Sequence, residues 1–522
     1  MAGLRQRRFV QRAVANVASL PAPIGGWNAR DSLANMAPTD AVTLDNLFPG
    51  VSNVNLRGGY VKHATGLPGQ VESLFSYAGA ATNKLFAASG TGFYDVTSAG
   101  AVGAAVVSGL TNARWEYINV TTPGGNYMMC VNGVDKPRLY NGSTWVALDG
   151  ASTPAITGVT TTTLANITLF KNRIWFIQKD TLKAWYLPTL SVGGAAQELD
   201  LSAVAKLGGT LVAVGTWTID AGYGVDDNLV FVTDKGEIIV YRGTDPSSAS
   251  TWALIGVWMV GAPISKRCMM KYGGDLLLLT LDGLFPLASA LQSSRLDPNV
   301  ALSDKIQGAF AAAAQNYKNN FGWGMIYNAN NNALIVNVPV ATGSQEQFVM
   351  NNITKAWCRF TGWSANCFNL LNDDPYFGGN QFVGKCWTIG STGYVDDTNN
   401  IDGRALQAFN YFDSRGVKKY FTRARPSLFS NGQPAINIDI NVDFDLAPST
   451  AALSYSPSTY GTWNTSTCDN GIWGQDTIIS NNWQGVTGIG YCAGIQLNST
   501  SKNLQLQWAS TDIVYQIVWA GV

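Results

Sequence analysis

From Val71 to about Asp397 the chain repeats in kind though not in letters. A short run of β-branched, Leu or aromatic residues gives way to a Gly, Asn or Asp turn, and then to a second run. Leu85–Val96 (LFAASGTGFYDV), Ile167–Leu187 (ITLFKNRIWFIQKDTLKAWYL), Asn228–Gly243 (NLVFVTDKGEIIVYRG) and Asp275–Ala288 (DLLLLTLDGLFPLA) all have this form. Such runs, bounded by turn formers, predict antiparallel strands joined by tight hairpins. The units recur roughly every 40 to 60 residues, the spacing of a β-propeller. A lone hairpin pair cannot bury its apolar faces, whereas radial stacking buries both. We therefore expect an all-β chain whose residues 66–407 form a β-propeller of six or seven blades. Trp115, Trp145, Trp175, Trp217, Trp252, Trp323, Trp357 and Trp387 fall about one to a unit and suit the spaces between blades. A large β-sandwich is the alternative reading of the same pattern.

The pattern changes at both ends. Residues 408–522 open on a basic stretch and continue into Ile436–Leu446, where apolar residues alternate with Asn and Asp. That alternation predicts a half-buried strand, and the region reads as a β-sandwich-like domain. It also sets Asp439, Asp443 and Asp445 on one face of that strand. Helix signals are confined to Pro298–Asn316, with Ser303 or Asp304 as N-cap and an Ala-rich body. Pro21–His63 has no period of 3.6 or 2. Its Gly pairs, prolines and Asn/Asp residues build turns, yet Trp27, Leu44, Leu47, Phe48, Val54 and Leu56 are too many anchors for a free linker. We expect residues 1–65 to be an arm and a wrapping segment pinned to a surface.

Charge is scarce: 13% of residues are charged, the net charge is zero, and 55 residues are Gly. The usual charged share is roughly 25%. Low charge with many turn formers suits a β-rich protein that works inside an assembly, and it disfavours a strongly basic reader of nucleic acid. The seven cysteines are scattered without a CxxC, so reduced, buried thiols are expected. There is no stretch of about 18 apolar residues, so no transmembrane helix is expected. The opening MAGLRQRRFVQRAVANVASL imitates a signal peptide, but its apolar part is short and broken by Asn16, so a basic arm is preferred.

The chemistry is mostly an absence. His63 is the only histidine, which removes Ser-His-Asp, Cys-His and multi-His metal arrangements. A packing role is expected for it. Asp226, Asp227, Asp234 and Glu237 could in principle form a glycosidase pair, but acidic residues in β-turns are ordinarily turn formers. No catalytic, cofactor or metal residue is assigned, and no enzyme activity is expected. Two basic patches remain: Arg5, Arg7, Arg8 and Arg12 in the arm, and Arg415, Lys418, Lys419, Arg423 and Arg425. Neither has the aromatic interleaving of a single-strand binder. With Trp27 they are the expected docking residues for neighbouring subunits.

Three pieces carry a family resemblance: Leu20–Asn28 (LPAPIGGWN), Asp45–Pro49 (DNLFP) and Leu56–Gly59 (LRGG). In this order the chain resembles the tail nozzle (tail tubular protein B-like) proteins of short-tailed bacteriophages. Gly208–Ser248 and Tyr376–Asp397 resemble recurring blocks of the same family. The resemblance implies a structural virion protein, made in the bacterial cytoplasm, without cofactor or membrane insertion. It implies a hexameric ring below the portal and adaptor. Tail fibres or spikes would be further partners, and genomic DNA would pass through the lumen unread. A carbohydrate-binding or carbohydrate-cleaving propeller is the alternative, with Trp463, Trp473 and Trp483 as stacking platforms. A DNA-stabilising plug at the tail's lower end is a third reading.

Overall fold

Lys171 and Asn172 both adopt positive φ between the strands Leu164–Phe170 and Arg173–Gln178, which pair directly from Phe170 to Arg173. A two-residue loop with both φ positive matches the right-handed strand twist. Antiparallel hairpins, chained one after another, generate most of the molecule. The computed structural model describes residues 15–220, 225–290, 300–390, 393–449, 453–455 and 478–518.

Among these residues, antiparallel meanders follow one another along the chain. Three consecutive four-stranded sheets begin at Glu116–Thr122, Leu164–Phe170 and Leu211–Asp220. A three-stranded sheet follows, Met269–Tyr272, Asp275–Thr280 and Gly283–Pro286, with the helix Gln307–Tyr317 beside it. The next meander runs from Gly324–Asn328 to Trp357–Phe360, and the last comprises Cys367–Leu371, Asp374–Gly378 and Asn380–Thr388. The innermost strand of each touches the innermost strand of the next, and Cys367–Leu371 returns to Gly59–Tyr77. The arrangement is that of a β-propeller.

Ring closure rests on Gly59–Tyr77. Its first half pairs with Asn380–Thr388 (Val383 opposite Ala64), as the outer strand of the last meander. Its second half pairs with Lys84–Ser89 (Leu74 opposite Ala87), as the inner strand of the first. One continuous strand thus locks the end of the propeller to its beginning. Aromatic rings fill the gaps between sheets as expected. Phe93 meets Trp115 at 5.0 Å and Trp145 at 5.2 Å, and Trp175 stacks on Trp252 at 5.5 Å. Burial of such rings is the dominant stabilising term here.

The remainder is a two-sheet sandwich, and its boundaries differ from those expected. Trp357–Phe360 pairs in parallel with Asp40–Asp45, and the sheet continues through Ile401–Gln407, Ala493–Ser501 and Ala435–Val442. The second sheet joins Ile478–Ser480, Lys418–Ser430, Leu506–Val518, Val54–Leu56 and Leu47–Pro49, with Ala15–Pro21 and Gln484–Gly490 alongside. Leu44, Leu56, Phe421, Leu428, Ile438, Ile495 and Trp508 pack between them. The segment after Ala15 is therefore woven into both sheets rather than laid over a finished surface. The boundary at 407/408 cuts through the sandwich, and the one at 65/66 cuts through a single strand.

Two local expectations are corrected. The helix begins at Gln307 after a tight turn at Asp304–Ile306, and Ser303 Oγ accepts the Leu284 amide (3.0 Å) instead of capping it. The alternating strand stops at Val442, and Asp443 turns the chain at positive φ. Its Oδ1 accepts the amides of Tyr491 (2.7 Å) and Cys492 (3.3 Å), so the three aspartates do not share a strand face.

Candidate interaction surface

The motif residues of the N-terminal segment build a joint between propeller and sandwich. Asp45 takes Arg359 bidentately, with Nε and Nη2 each 2.8 Å from its oxygens. Asn46, at positive φ, accepts the Thr361 amide and the Arg57 Nε, both at 2.8 Å. Arg57 is buried and gives its remaining donors to Asp396 and to the carbonyls of Gly58 and Thr361. Gly58 and Gly59 follow because no side chain fits: a Cβ on Gly59 would lie 1.9 Å from the Val395 carbonyl oxygen. Trp27 is part of this joint. Its ring meets Phe348 edge-on at 5.2 Å, and the Arg359 guanidinium sits 6.0 Å from its centre. It is an internal anchor, not a free docking side chain.

The basic stretch 415–425 leads into Lys418–Ser430, an inner strand of the second sandwich sheet that pairs with Leu506–Val518 on one side and Gln484–Gly490 on the other. In Lys418–Ser430 the inward residues are Lys419, Phe421, Ala424, Pro426, Leu428 and Ser430. Lys419 therefore leaves the expected docking set. Its ammonium donates to the carbonyls of Ser414 (2.5 Å), Val417 (3.0 Å) and Tyr491 (2.9 Å), and burial holds its pKa below the ordinary lysine value. A bulge after Phe421 shifts the phase of the strand, so Tyr420, Arg423 and Arg425 all face outward.

Across that outward face the registers form rows. Ala15, Gln516, Tyr420 and Ile489 stand side by side in the first. Val17, Val514 and Arg423 form the second, and Ser19, Asp512 and Arg425 the third. Arg425 pairs with Asp512 (2.6 Å) and lies over the Trp483 ring at 4.7 Å, while Lys418 approaches the Tyr491 ring at 5.5 Å. Arg415 lies over Tyr411 at 4.6 Å. Val17 is 64% exposed and Ile489 57%. Exposed apolar and aromatic side chains with guanidinium groups on one sheet face are the composition of an interaction surface. The strand Ala15–Pro21 is on this sheet, directly after the arm that carries Arg5, Arg7, Arg8 and Arg12. Those four arginines lie outside the described residues, as do Trp463 and Trp473.

Val17, Val514 and Ile489 escape sequence reasoning. Val17 sits in the stretch that imitates a signal peptide, and Ile489 in the Gly-rich segment GVTGIG. Only the strand registers align them with Arg423.

The propeller axis is closed by side chains. Arg267 reaches across it, its Nε donating to Glu116 (2.9 Å) and its guanidinium nitrogens to Ser73 Oγ (2.7 Å) and to the carbonyls of Glu72 and Trp115 (both 3.0 Å). The Phe321 ring is approached by the Arg114 and Arg267 guanidiniums, at 4.3 and 5.5 Å. A cavity of about 640 Å³ lies on one side of this plug and one of about 380 Å³ on the other, both lined by Arg267.

Groups of catalytic interest are otherwise engaged. His63 contacts the Val96 carbonyl (3.0 Å) and packs against Tyr376. Asp227 holds Lys171 and Thr218, and Glu237 accepts the amides of Lys206 and Leu207. Among the described residues no three His, Cys, Asp or Glu side chains gather into a metal-binding group, and no helix is long and apolar enough to cross a membrane.

No family profile matches the chain, and no curated protein matches it. Several solved structures resemble it. The β-propeller domain of Cps50 (Swd1) from Myceliophteria thermophila aligns over 62% of this chain and 100% of its own, with a TM-score of 0.38 and 11% identity. Raptor from Chaetomium thermophilum aligns over 65% of this chain and 29% of its own (0.40, 10%). YCF48 bound to D1 peptide aligns over 64% and 95% (0.35, 11%). The propeller description rests on the strand pairing given above.

Proposed function

We propose that this chain is a structural virion protein, the tail nozzle of a short-tailed bacteriophage. In this reading it forms a ring below the portal and adaptor that encloses and gates the genome-ejection channel. It works by assembly and gating rather than by turnover. The phage setting comes from the resemblance of Leu20–Asn28, Asp45–Pro49 and Leu56–Gly59. The observation that carries the assembly reading is the outward sheet face of Val17, Tyr420, Arg423 and Ile489, whose strand Ala15–Pro21 directly follows the basic segment in sequence. A ring needs such a patch as one half of a head-to-tail contact.

The plugged propeller axis bears on where the genome passes. With Arg267 and Phe321 across it, a single propeller leaves no room for a duplex. The conduit in this proposal lies between copies, around the ring axis.

Gold-labelled antibody against the chain, applied to virions of the phage that encodes it, tests the proposal. Label at the tail below the neck is expected. Label confined to capsids or fibres, or no label on intact virions, would refute it.

A further inference from the structure

The smaller cavity at the propeller axis has an unusual charge for this chain. Five cationic side chains line it (Arg114, Lys179, Lys266, Arg267 and Lys318) against one carboxylate, Glu116. The whole protein has equal numbers of acidic and basic residues. Two of the five are answered: Arg267 by Glu116 at 2.9 Å, and Arg114 by Glu72 at 3.0 Å. The ammonium groups of Lys179, Lys266 and Lys318 make no hydrogen bond or ion pair among the described residues.

These three lysines come from separate parts of the fold. Lys179 follows the strand Arg173–Gln178, Lys266 precedes Met269–Tyr272, and Lys318 ends the helix Gln307–Tyr317. A helix C-terminus favours a cation, which accounts for Lys318 alone. It does not account for its meeting Lys179 and Lys266 in one concave mouth, where like charges repel.

We propose that this mouth is a binding site for a compact, multiply charged oxyanion. At about 380 Å³ it has the size of a small-ligand pocket. Three unanswered ammonium groups call for more than one negative charge. Lys179, Lys266 and Lys318 line the mouth with their side chains open to solvent. Partial desolvation and the charge of Lys179 lower the proton affinity of Lys266, while Glu116 and Asp180 partly restore it. A bound anion offsets the repulsion from Lys179 and favours the charged form of Lys266. A neutral sugar or a base finds no platform there. The Phe321 ring already carries two guanidiniums, and Trp323 is buried. The inference does not depend on the virion reading.

Calorimetric titration of the full chain with pyrophosphate, and separately with citrate, at low ionic strength tests it. Saturable binding is expected for at least one of them. Lys266→Gln and Lys179→Gln should each weaken it about tenfold or more, the value of one hydrogen bond to a charged group. The triple change K179Q/K266Q/K318Q should abolish it. Lys235→Gln, on a surface turn beside Asp234, should leave it unchanged. Tighter pyrophosphate assigns phosphate chemistry to the site, and tighter citrate assigns carboxylate chemistry. The ligand should also raise the melting temperature of the wild type and not that of the triple variant. No saturable heat with either anion, or unchanged affinity in a folded triple variant, would overturn the proposal.

Discussion

Arg57 and Asp396 are 339 residues apart in the chain and meet as a buried bidentate pair, Nη1 to Oδ1 at 2.9 Å and Nη2 to Oδ2 at 2.5 Å. The guanidinium also lies 5.0 Å from the Trp363 ring centre and 5.6 Å from that of Phe360. The pair ties the N-terminal segment to the loop after the last blade. Breaking it leaves a desolvated charge, at a cost of about 3–5 kcal/mol. Asp396→Ala should therefore unfold at markedly lower urea, followed by tryptophan fluorescence. Arg57→Lys should fall well short of wild type, because an ammonium cannot reproduce the fork geometry. Wild-type midpoints for both would contradict this role.

Gly59 gives a sharper steric test. A methyl group there would meet the Val395 carbonyl oxygen at 1.9 Å and its amide nitrogen at 2.4 Å, all backbone that cannot step aside. Gly59→Ala should cost at least about 1–3 kcal/mol. At Gly69, on the same strand, nothing lies within 4 Å. Gly69→Ala should be neutral, or stabilising by up to about 1 kcal/mol through the unfolded chain. Equal melting temperatures for the two variants would show that the close approach at Gly59 is not restrictive.

The thiols predict an alkaline response. Burial pushes Cys268 and Cys367 from the ordinary 9.0 up to about 12. Raised values mean that the folded state holds its protons more tightly than the unfolded chain does. Their contribution to stability is complete below pH 9.0 and is lost as pH climbs from there toward about 12. At pH 8 these cysteines should resist a thiol reagent in the native protein and react fully in concentrated guanidinium. Rapid native labelling of Cys268 or Cys367, mapped by mass spectrometry, would contradict the burial.

The outward sheet face predicts a separation of assembly from stability. Val17→Asp and Ile489→Asp change exposed side chains, so the isolated chain should lose no more than about 1 kcal/mol. Arg423→Glu, equally exposed, belongs in the same set. Each should weaken contact between copies by about tenfold or more. The Arg423 effect should also shrink as salt rises. Sedimentation of each variant over a concentration series reads this directly. Unchanged association in all three would move the contact to another surface.

Much of the propeller was legible because its rules are local. Lys171-Asn172 marks its own hairpin, and Trp115, Trp175, Trp323 and Trp357 are buried as expected. The spacing of one per unit does not hold: Trp115 immediately precedes the first strand of the sheet that holds Trp145, and Trp217 and Trp252 share another sheet. Trp387 packs against Phe48 and Phe360 at the sandwich. The half-buried strand was legible as far as Val442. What failed was long-range. The boundary expected at 65/66 falls inside Gly59–Tyr77, which runs straight through Gly66, Pro68 and Gly69 and joins two blades. Ile401–Gln407 reads as the end of the propeller, but its partners are Asp40–Asp45 and Ala493–Ser501. The candidate surface was half legible. Arg423 and Arg425 stand out as charges, but a one-residue bulge decides that they face outward while Lys419 turns in. No property of the sequence near Val17 announces that it will lie beside Val514.

Asp45, Asn46, Arg57, Gly58 and Gly59 are joint residues whose partners are internal. They tie the propeller's Arg359 and Thr361 to the N-terminal segment that enters both sandwich sheets.

The most direct test of the assembly account is electron microscopy of the purified protein, alone and mixed with the adaptor ring of the same phage. Sixfold rings with a central channel, forming alone or on the adaptor, are the predicted result. Monomers that ignore the adaptor and instead bind or degrade host polysaccharide would contradict it.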